Sequence, residues 1–370
     1  MASVSKFPLV SYQPFRVFFQ VLYASAIVLQ LPYFAVRAAV PALRPHPEWS
    51  AKQTFMTCLV YRLLDLTSRV GIKETINLEP RKEGRRFQIV KPAEPEYYSG
   101  ILASGDIKPE TIGGTWFPDV PKGDAASTTI FLYFHGGAFI QGDGRNATCG
   151  LIVKKLLEKG GADAVFSVQY RLSGHGGQNP FPAALQDALS SYLYLLNNLH
   201  VPGNQIVLAG DSAGGNLAMA LLLYLRNFGA ATHVPAPKCA VLLSPWVAPF
   251  HYNMTDNPHR HTDFVPTTYP YWGANAYAGG WPNAQSDPYI TQLGNPFRTV
   301  PIFANAGTAE LFYERILKWA EEMSGIEGNV IEVNHEDAGV HDTFLSAEIL
   351  GFEKSAWEVA AKVGEFVRKC

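Results

Sequence analysis

The stretch QIVLAGDSAGGNLAMALLLYL, residues 205–225, decides the fold. Gln205–Gly210 is a short apolar run that reads as a strand, and Gly214–Phe228 reads as a largely apolar helix. Between them stands Gly210-Asp-Ser-Ala-Gly214, followed by Gly215. This is G-x-S-x-G in a strand–turn–helix setting, a tight bend that lifts a serine hydroxyl out of a sheet edge. Small neighbours let the backbone take that bend and let a substrate approach. The helix N-terminus turns its positive end toward a developing oxyanion. Ser212 is therefore the candidate nucleophile, and the competing reading is a merely structural glycine turn.

Working outward, the same alternation recurs. Strands are expected at Phe87–Val90, Thr115–Phe117, Thr128–Phe134, Ala164–Arg171, Lys238–Ser244, Pro301–Ala306 and Val330–Asn334. Helices are expected at Arg145–Lys159, Phe181–Leu199, Leu311–Met323 and about Glu353 to Arg368. Strands alternating with helices imply right-handed crossovers and an α/β fold with a mostly parallel central sheet covered on both faces. From Pro245 to Asn283 the alternation breaks. Nine aromatics and only three charges fall in these 39 residues. A loop of this length is usually functional, and this one follows a strand C-terminus, where open α/β sheets bind ligands. It reads as part of an aromatic-rich lid, about residues 245–295, with Trp246, Tyr271 and Trp272 as candidate pocket residues. Ordinary packing against the N-terminal helices is the alternative.

Composition limits the partners. The chain has 370 residues, of which 47% are hydrophobic and 17% charged, with a formal charge of -2. A sizeable core is affordable on these figures, and disorder, collagen and coiled coil are not expected. No Lys/Arg cluster stands out, so nucleic acid is not an expected partner. Cys58, Cys149, Cys239 and Cys370 lie far apart without CxxC spacing and read as free or buried thiols. His251, His259 and His261 match no ligand motif, so no metal is expected. Two short sequons, Asn146-Ala-Thr148 and Asn253-Met-Thr255, arise often by chance and leave the compartment open.

Residues 1–75 form an N-terminal apolar helical segment ahead of a catalytic domain at 76–370. Val17 to Val36 carries no charge and is flanked by Arg16 and Arg37. Twenty uncharged residues are long enough to span a bilayer, but Gln20, Ser25, Gln30 and Pro32 interrupt the run. The favoured reading is an amphipathic or buried helix packed over the body. A membrane surface is the other candidate partner, which leaves a cytoplasmic or a membrane-associated location.

A second motif, His135-Gly-Gly-Ala-Phe139, ends the strand TTIFLYF upstream of the serine. This is where an HGGG-type oxyanion loop belongs, because glycines let backbone N–H groups face a substrate carbonyl. The N–H groups of Gly137, Ala138 and Ala213 are the candidate donors, with Gly136 keeping the loop open and Phe139 beside the pocket. His135 is expected to hold the loop in shape.

Together with Tyr170-Arg-Leu172, Phe181-Pro-Ala-Ala184, Asp187, Ser286-Asp-Pro288, Gly307-Thr-Ala-Glu-Leu311 and Gly339-Val-His-Asp-Thr-Phe344, these motifs resemble the hormone-sensitive-lipase-like esterases of the α/β-hydrolase superfamily, most closely fungal members. The resemblance runs from about Thr128 to the C-terminus and implies the α/β-hydrolase fold with a helical cap or lid. The sequence departs from the pattern at Ala138, where the family has a third glycine, and at Ser173–Gln178, which replaces Ala-Pro-Glu. Chain order Ser…acid…His points to a late histidine. His341 stands in the family's His-x-x-Phe context, with His335 as its rival. The resemblance places the acid at Glu310, where the family usually has Asp; Asp287, Asp337 and Glu314 compete.

The expected function is a serine carboxylesterase or deacylase acting through an acyl-enzyme on a hydrophobic small-molecule ester. No cofactor is implied. The resemblance to fungal members suggests short to medium acyl chains and a role in secondary metabolism. Triad-dependent acyl transfer, condensation or cyclisation, amide cleavage of the formamidase kind, and a non-catalytic small-ligand receptor are the alternatives. Oligomeric state is not legible.

Overall fold

The computed structural model describes residues 7–71, 76–121, 127–174, 177–251 and 257–370. His175, Tyr252 and the sequon at Asn253 lie outside them. Eight strands form one sheet: β1 (Phe87–Val90), β2 (Ile112–Phe117), β3 (Ile130–Phe134), β4 (Ala164–Gln169), β5 (Ile206–Asp211), β6 (Cys239–Leu243), β7 (Ile302–Gly307) and β8 (Ile331–Glu336). Their order is β1-β2-β4-β3-β5-β6-β7-β8. β2 runs antiparallel to both β1 and β4, and all pairings from β4 through β8 are parallel.

Period-2 alternation explains the two layers of helix. Ile130, Leu132 and Phe134 of β3 face one core, and Phe131 and Tyr133 face the other. The first core is closed by α4 (Ala183–Leu193), α5 (Ala213–Phe228) and α7 (Tyr313–Ser324). The second is closed by α3 (Asn146–Glu158) and α9 (Glu353–Lys369), joined by Phe344 of the short α8 (Thr343–Leu350). Strands buried on both faces read as unbroken apolar runs, which is why the central ones are legible in sequence.

The aromatic stretch is not a structureless loop. It carries the helix α6 (Thr268–Ala278), whose Gly273 packs on Ala138. Of the two N-terminal helices, α2 (Ala51–Val70) packs on it and α1 (Phe15–Ala39) packs on α2. Ser50 caps α2 in a capping box with Gln53. Trp49 moors this arm to the body, donating from its indole nitrogen to the Ala338 carbonyl at 2.8 Å and packing among Val340, Leu350 and Phe352. The expectation of a buried N-terminal helix holds for only one edge of α1. Ile27, Phe34 and Ala38 are buried, and most of its other apolar side chains face outward.

Candidate active site

Every group of the site leaves the C-terminal edge of the parallel sheet. Ser212 follows β5 and takes φ 49°, ψ −114°, a left-handed φ that a non-glycine residue adopts only when its surroundings impose it. The glycine pattern follows from close approach. A methyl on Gly214 would lie 1.9 Å from the Phe134 carbonyl oxygen, and one on Gly210 2.4 Å from the Gly214 carbonyl carbon. Ser212 N–H donates to the Leu243 carbonyl, which fixes the bend to β6.

His341 leaves the loop after β8, and its Nε2 stands 3.0 Å from Ser212 Oγ. Glu310 follows β7; its Oε2 lies 3.5 Å from His341 Nδ1, longer than a formed hydrogen bond. Such contacts often tighten only when substrate is bound. Glu310 is fully buried, beside the His341 ring and the Ser244 hydroxyl. Burial therefore pushes its carboxyl up to about 7, against the pull of His341. Burial alone would depress the His341 imidazolium; Glu310, with Asp263 and Asp211 behind it, overrides this and raises it. The competing acids lie elsewhere. Asp287 accepts from the Trp281 indole and the Tyr289 amide, Glu314 points outward toward His259, and Asp337 is exposed. His335 is also exposed, with its Nδ1 against the Tyr313 hydroxyl.

On the oxyanion side, Gly137 and Ala138 line a pocket with Ser212 and His341. Ala213 opens α5, where the first helical amides have no intrahelical acceptor. The Gly136 N–H donates to Asp211 Oδ1 at 2.9 Å, so Gly136 shapes the loop and offers no donor of its own. Tyr133 donates its hydroxyl to the same oxygen. Asp211, the residue before Ser212, is thus tied to the loop that faces the serine. His135 stacks on Tyr170 at 4.3 Å, and burial holds its imidazole below its ordinary pKa. Tyr170 donates to the His135 carbonyl at 2.6 Å. Arg171 next to it forms a buried ion pair with Asp187 at 2.8 Å.

The pocket measures about 150 Å³ and is largely apolar. Trp246, Phe264, Tyr269 and Pro270 line it from the lid side, Phe312 from the body and Leu64 from α2. Of the four aromatic residues expected there, Trp246 alone belongs to the lining. Phe139 is fully buried and stacks on Tyr277 at 3.7 Å, Tyr271 faces solvent, and Trp272 packs behind Tyr269. For Tyr271, helical periodicity accounts for the difference. Once residues 268–278 form a helix, Tyr269 faces the site and Tyr271, two positions on, faces away.

Asp263 was not legible in the sequence. It is fully buried, and its carboxylate accepts from the backbone N–H groups of Phe264 (2.7 Å), Leu311 (2.6 Å) and, more loosely, His341 (3.4 Å). One lid residue thus binds the loops that carry Glu310 and His341. No local motif announces it, because its partners are main-chain groups 48 and 78 positions away.

A family model described as the alpha/beta hydrolase fold matches residues 131–345, more than half of the chain. The chain belongs to the alpha/beta-hydrolase fold family. It is similar to an acetyl-hydrolase of Streptomyces hygroscopicus, 40% identical over 115 residues that cover 31% of this chain and 35% of that protein. It is similar to esterase LipI of Mycobacterium tuberculosis, 37% identical over 146 residues that cover 38% of this chain and 42% of the other. Human hormone-sensitive lipase is 31% identical over 134 residues, 35% of this chain and 12% of the lipase. The matched stretch thus spans well under half of each of these relatives. Among solved structures, an esterase/lipase from an uncultured bacterium superposes with a TM-score of 0.63 at 19% identity, covering 86% of this chain and 98% of that one. An esterase from the bacterial hormone-sensitive lipase family gives 0.59 at 21% identity, covering 93% and 97%. At these identities the solved structures speak for the hydrolase fold alone.

Proposed function

We propose that this protein is a serine carboxylesterase that removes a short acyl group from a hydrophobic small molecule through an acyl-enzyme. The observation that carries the reading is the chain of contacts from Ser212 Oγ to His341 Nε2 to Glu310, set under Gly137 and Ala138 in a small apolar pocket. In this scheme Ser212 Oγ attacks the ester carbonyl carbon as His341 Nε2 takes its proton. The carbonyl electron pair moves to oxygen, where the amides of Gly137, Ala138 and Ala213 receive it. The tetrahedral intermediate collapses, and the imidazolium protonates the departing alcohol. Water, deprotonated by His341, then releases the acid and restores the serine. Glu310 holds the imidazole in the tautomer that keeps Nε2 open to the serine proton.

Substrate size follows from the cavity. About 150 Å³ is below the usual 300–1,000 Å³ of a drug-sized ligand site, so it suits a small acyl group with the alcohol directed outward. The names acetyl-hydrolase and esterase carried by the relatives agree with this choice. The relatives reported above are bacterial and human, so the fungal form of the resemblance and a role in secondary metabolism rest on the sequence motifs. The p-nitrophenyl ester series tests the reading: acetate and butyrate turn over at least about tenfold faster in kcat/KM than octanoate. A preference for octanoate, or equal rates across the series, contradicts the small acyl site.

A further inference from the structure

Twenty large hydrophobic side chains are exposed among the described residues, and thirteen of them lie between Leu9 and Leu43. On α1 they form one broad face. Phe15, Phe18, Leu22, Leu29, Tyr33 and Val36 recur at helical spacing, with Phe18 68% and Leu29 81% exposed. An apolar surface of this extent marks an interaction site on a folded protein. Its charge is one-sided as well: residues 1–47 contain no Asp or Glu, but include Lys6, Arg16, Arg37 and Arg44.

By length and composition α1 is able to cross a membrane, being about 37 Å long against a hydrocarbon core of about 30 Å. The structure instead holds it along its length against α2. Tyr23 donates to Asp65, Phe34 meets Phe55 edge to face at 6.5 Å, and Ser11 donates to the Val70 carbonyl. Asp65 also accepts from Thr268 at the start of α6, so this edge of α1 is bonded through α2 to the lid. Crossing a bilayer requires lipid around the whole circumference and the loss of all these contacts. Lying in the interface requires neither, because only the outer face enters the lipid.

We propose that α1 seats the protein on an anionic bilayer surface, lying in the plane of the interface with α2 between the lipid and the catalytic pocket. The net positive charge of this segment, carried among the described residues by Arg16, Arg37 and Arg44, complements the negative charge of such a leaflet. The seat also places a second cavity at the lipid boundary. A groove of about 570 Å³ runs between α1, α2 and the lid, lined by Tyr33, Phe34, Arg37 and Tyr61. Val265 lines this groove and the catalytic pocket alike, so the two are neighbours. Membrane binding stands apart from the proposed reaction.

The test is co-sedimentation of the full chain with phosphatidylcholine vesicles, with and without phosphatidylserine. Hydrolysis of soluble p-nitrophenyl acetate serves as the control for folding. Wild type is expected to sediment with the mixed vesicles and less with phosphatidylcholine alone. Phe18→Glu combined with Leu29→Glu weakens that binding about tenfold or more and leaves acetate hydrolysis unchanged. Wild type remaining in the supernatant, or a double variant that sediments like wild type, overturns the proposal. So does a lipid-free wild-type dimer that the double variant turns into monomer without any vesicle binding, since the face then belongs to a second copy. Vesicle binding without ester turnover leaves the seat standing and removes the catalytic reading instead.

Discussion

At the residue scale, the site is a set of buried carboxylates arranged around one imidazole. Glu310 approaches the His341 ring, Asp263 holds its backbone N–H, and Asp211 lies directly before Ser212. Asp342, the next residue, is held well above the ordinary carboxylate range by burial and then by Asp211. The net effect on His341 is upward, and its sign sets the pH profile. The base works as neutral imidazole, so kcat/KM rises with pH through that group's ionisation. Glu310, pushed up to about 7, loses its charge in the same region, and the pair titrates as one system. Glu310→Gln is expected to lower kcat by about 10³–10⁴-fold and to shift the acid limb to lower pH, because the charge favouring imidazolium is gone. The pH dependence of kcat/KM in both proteins checks this. An acid limb that stays in place or moves upward contradicts the assignment of Glu310.

At the scale of elements, the lid acts on the chemistry by packing. Ala138 stands at φ 52°, and a methyl on Gly273 of α6 would fall 2.5 Å from its carbonyl oxygen and 2.6 Å from its Cβ. The extra methyl of Ala138, where the resembling family has glycine, is thus accommodated by a glycine on the facing helix. Gly273→Ala is expected to push α6 off the oxyanion loop and to lower kcat about tenfold or more with modest change in KM. A variant with unaltered kcat contradicts that coupling. The elements differed in how far the sequence revealed them. β1 was legible to the residue and the central strands to within one or two, the central ones because burial on both faces leaves continuous apolar runs. The Ser212 bend and the HGGAF loop were legible because steric demands restrict their residue types. α6 was not, since Pro270, Gly273 and four aromatic residues obscure a helical period that tertiary contacts enforce. Tyr271 and Trp272 failed with it as pocket residues, because an aromatic side chain's direction depends on the helix that carries it.

At the scale of the whole molecule, fold and function share one frame of buried polar contacts. Arg171 binds Asp187 on α4 and also donates to the Ala183 carbonyl and Gln186, all within the interior. Asp187, pushed up to about 6 by burial, depends on that guanidinium to stay ionised at neutral pH. Arg171→Ala leaves a buried charge without its partner and is expected to cost about 3–5 kcal/mol of stability, read by denaturant unfolding. A loss under about 1 kcal/mol contradicts a structural role for the ion pair. The sheet then presents Ser212, Glu310 and His341 from three separate strand ends, with α2 and α6 roofing them and α1 outermost. The central claim is that Ser212 is the activated nucleophile of this assembly. It is tested most directly by incubating the protein with a fluorophosphonate and locating the adduct by peptide mass spectrometry. One adduct is expected, on Ser212, abolished by Ser212→Ala and slowed by His341→Ala. An unlabelled wild type, or an adduct on another residue that persists in Ser212→Ala, contradicts it.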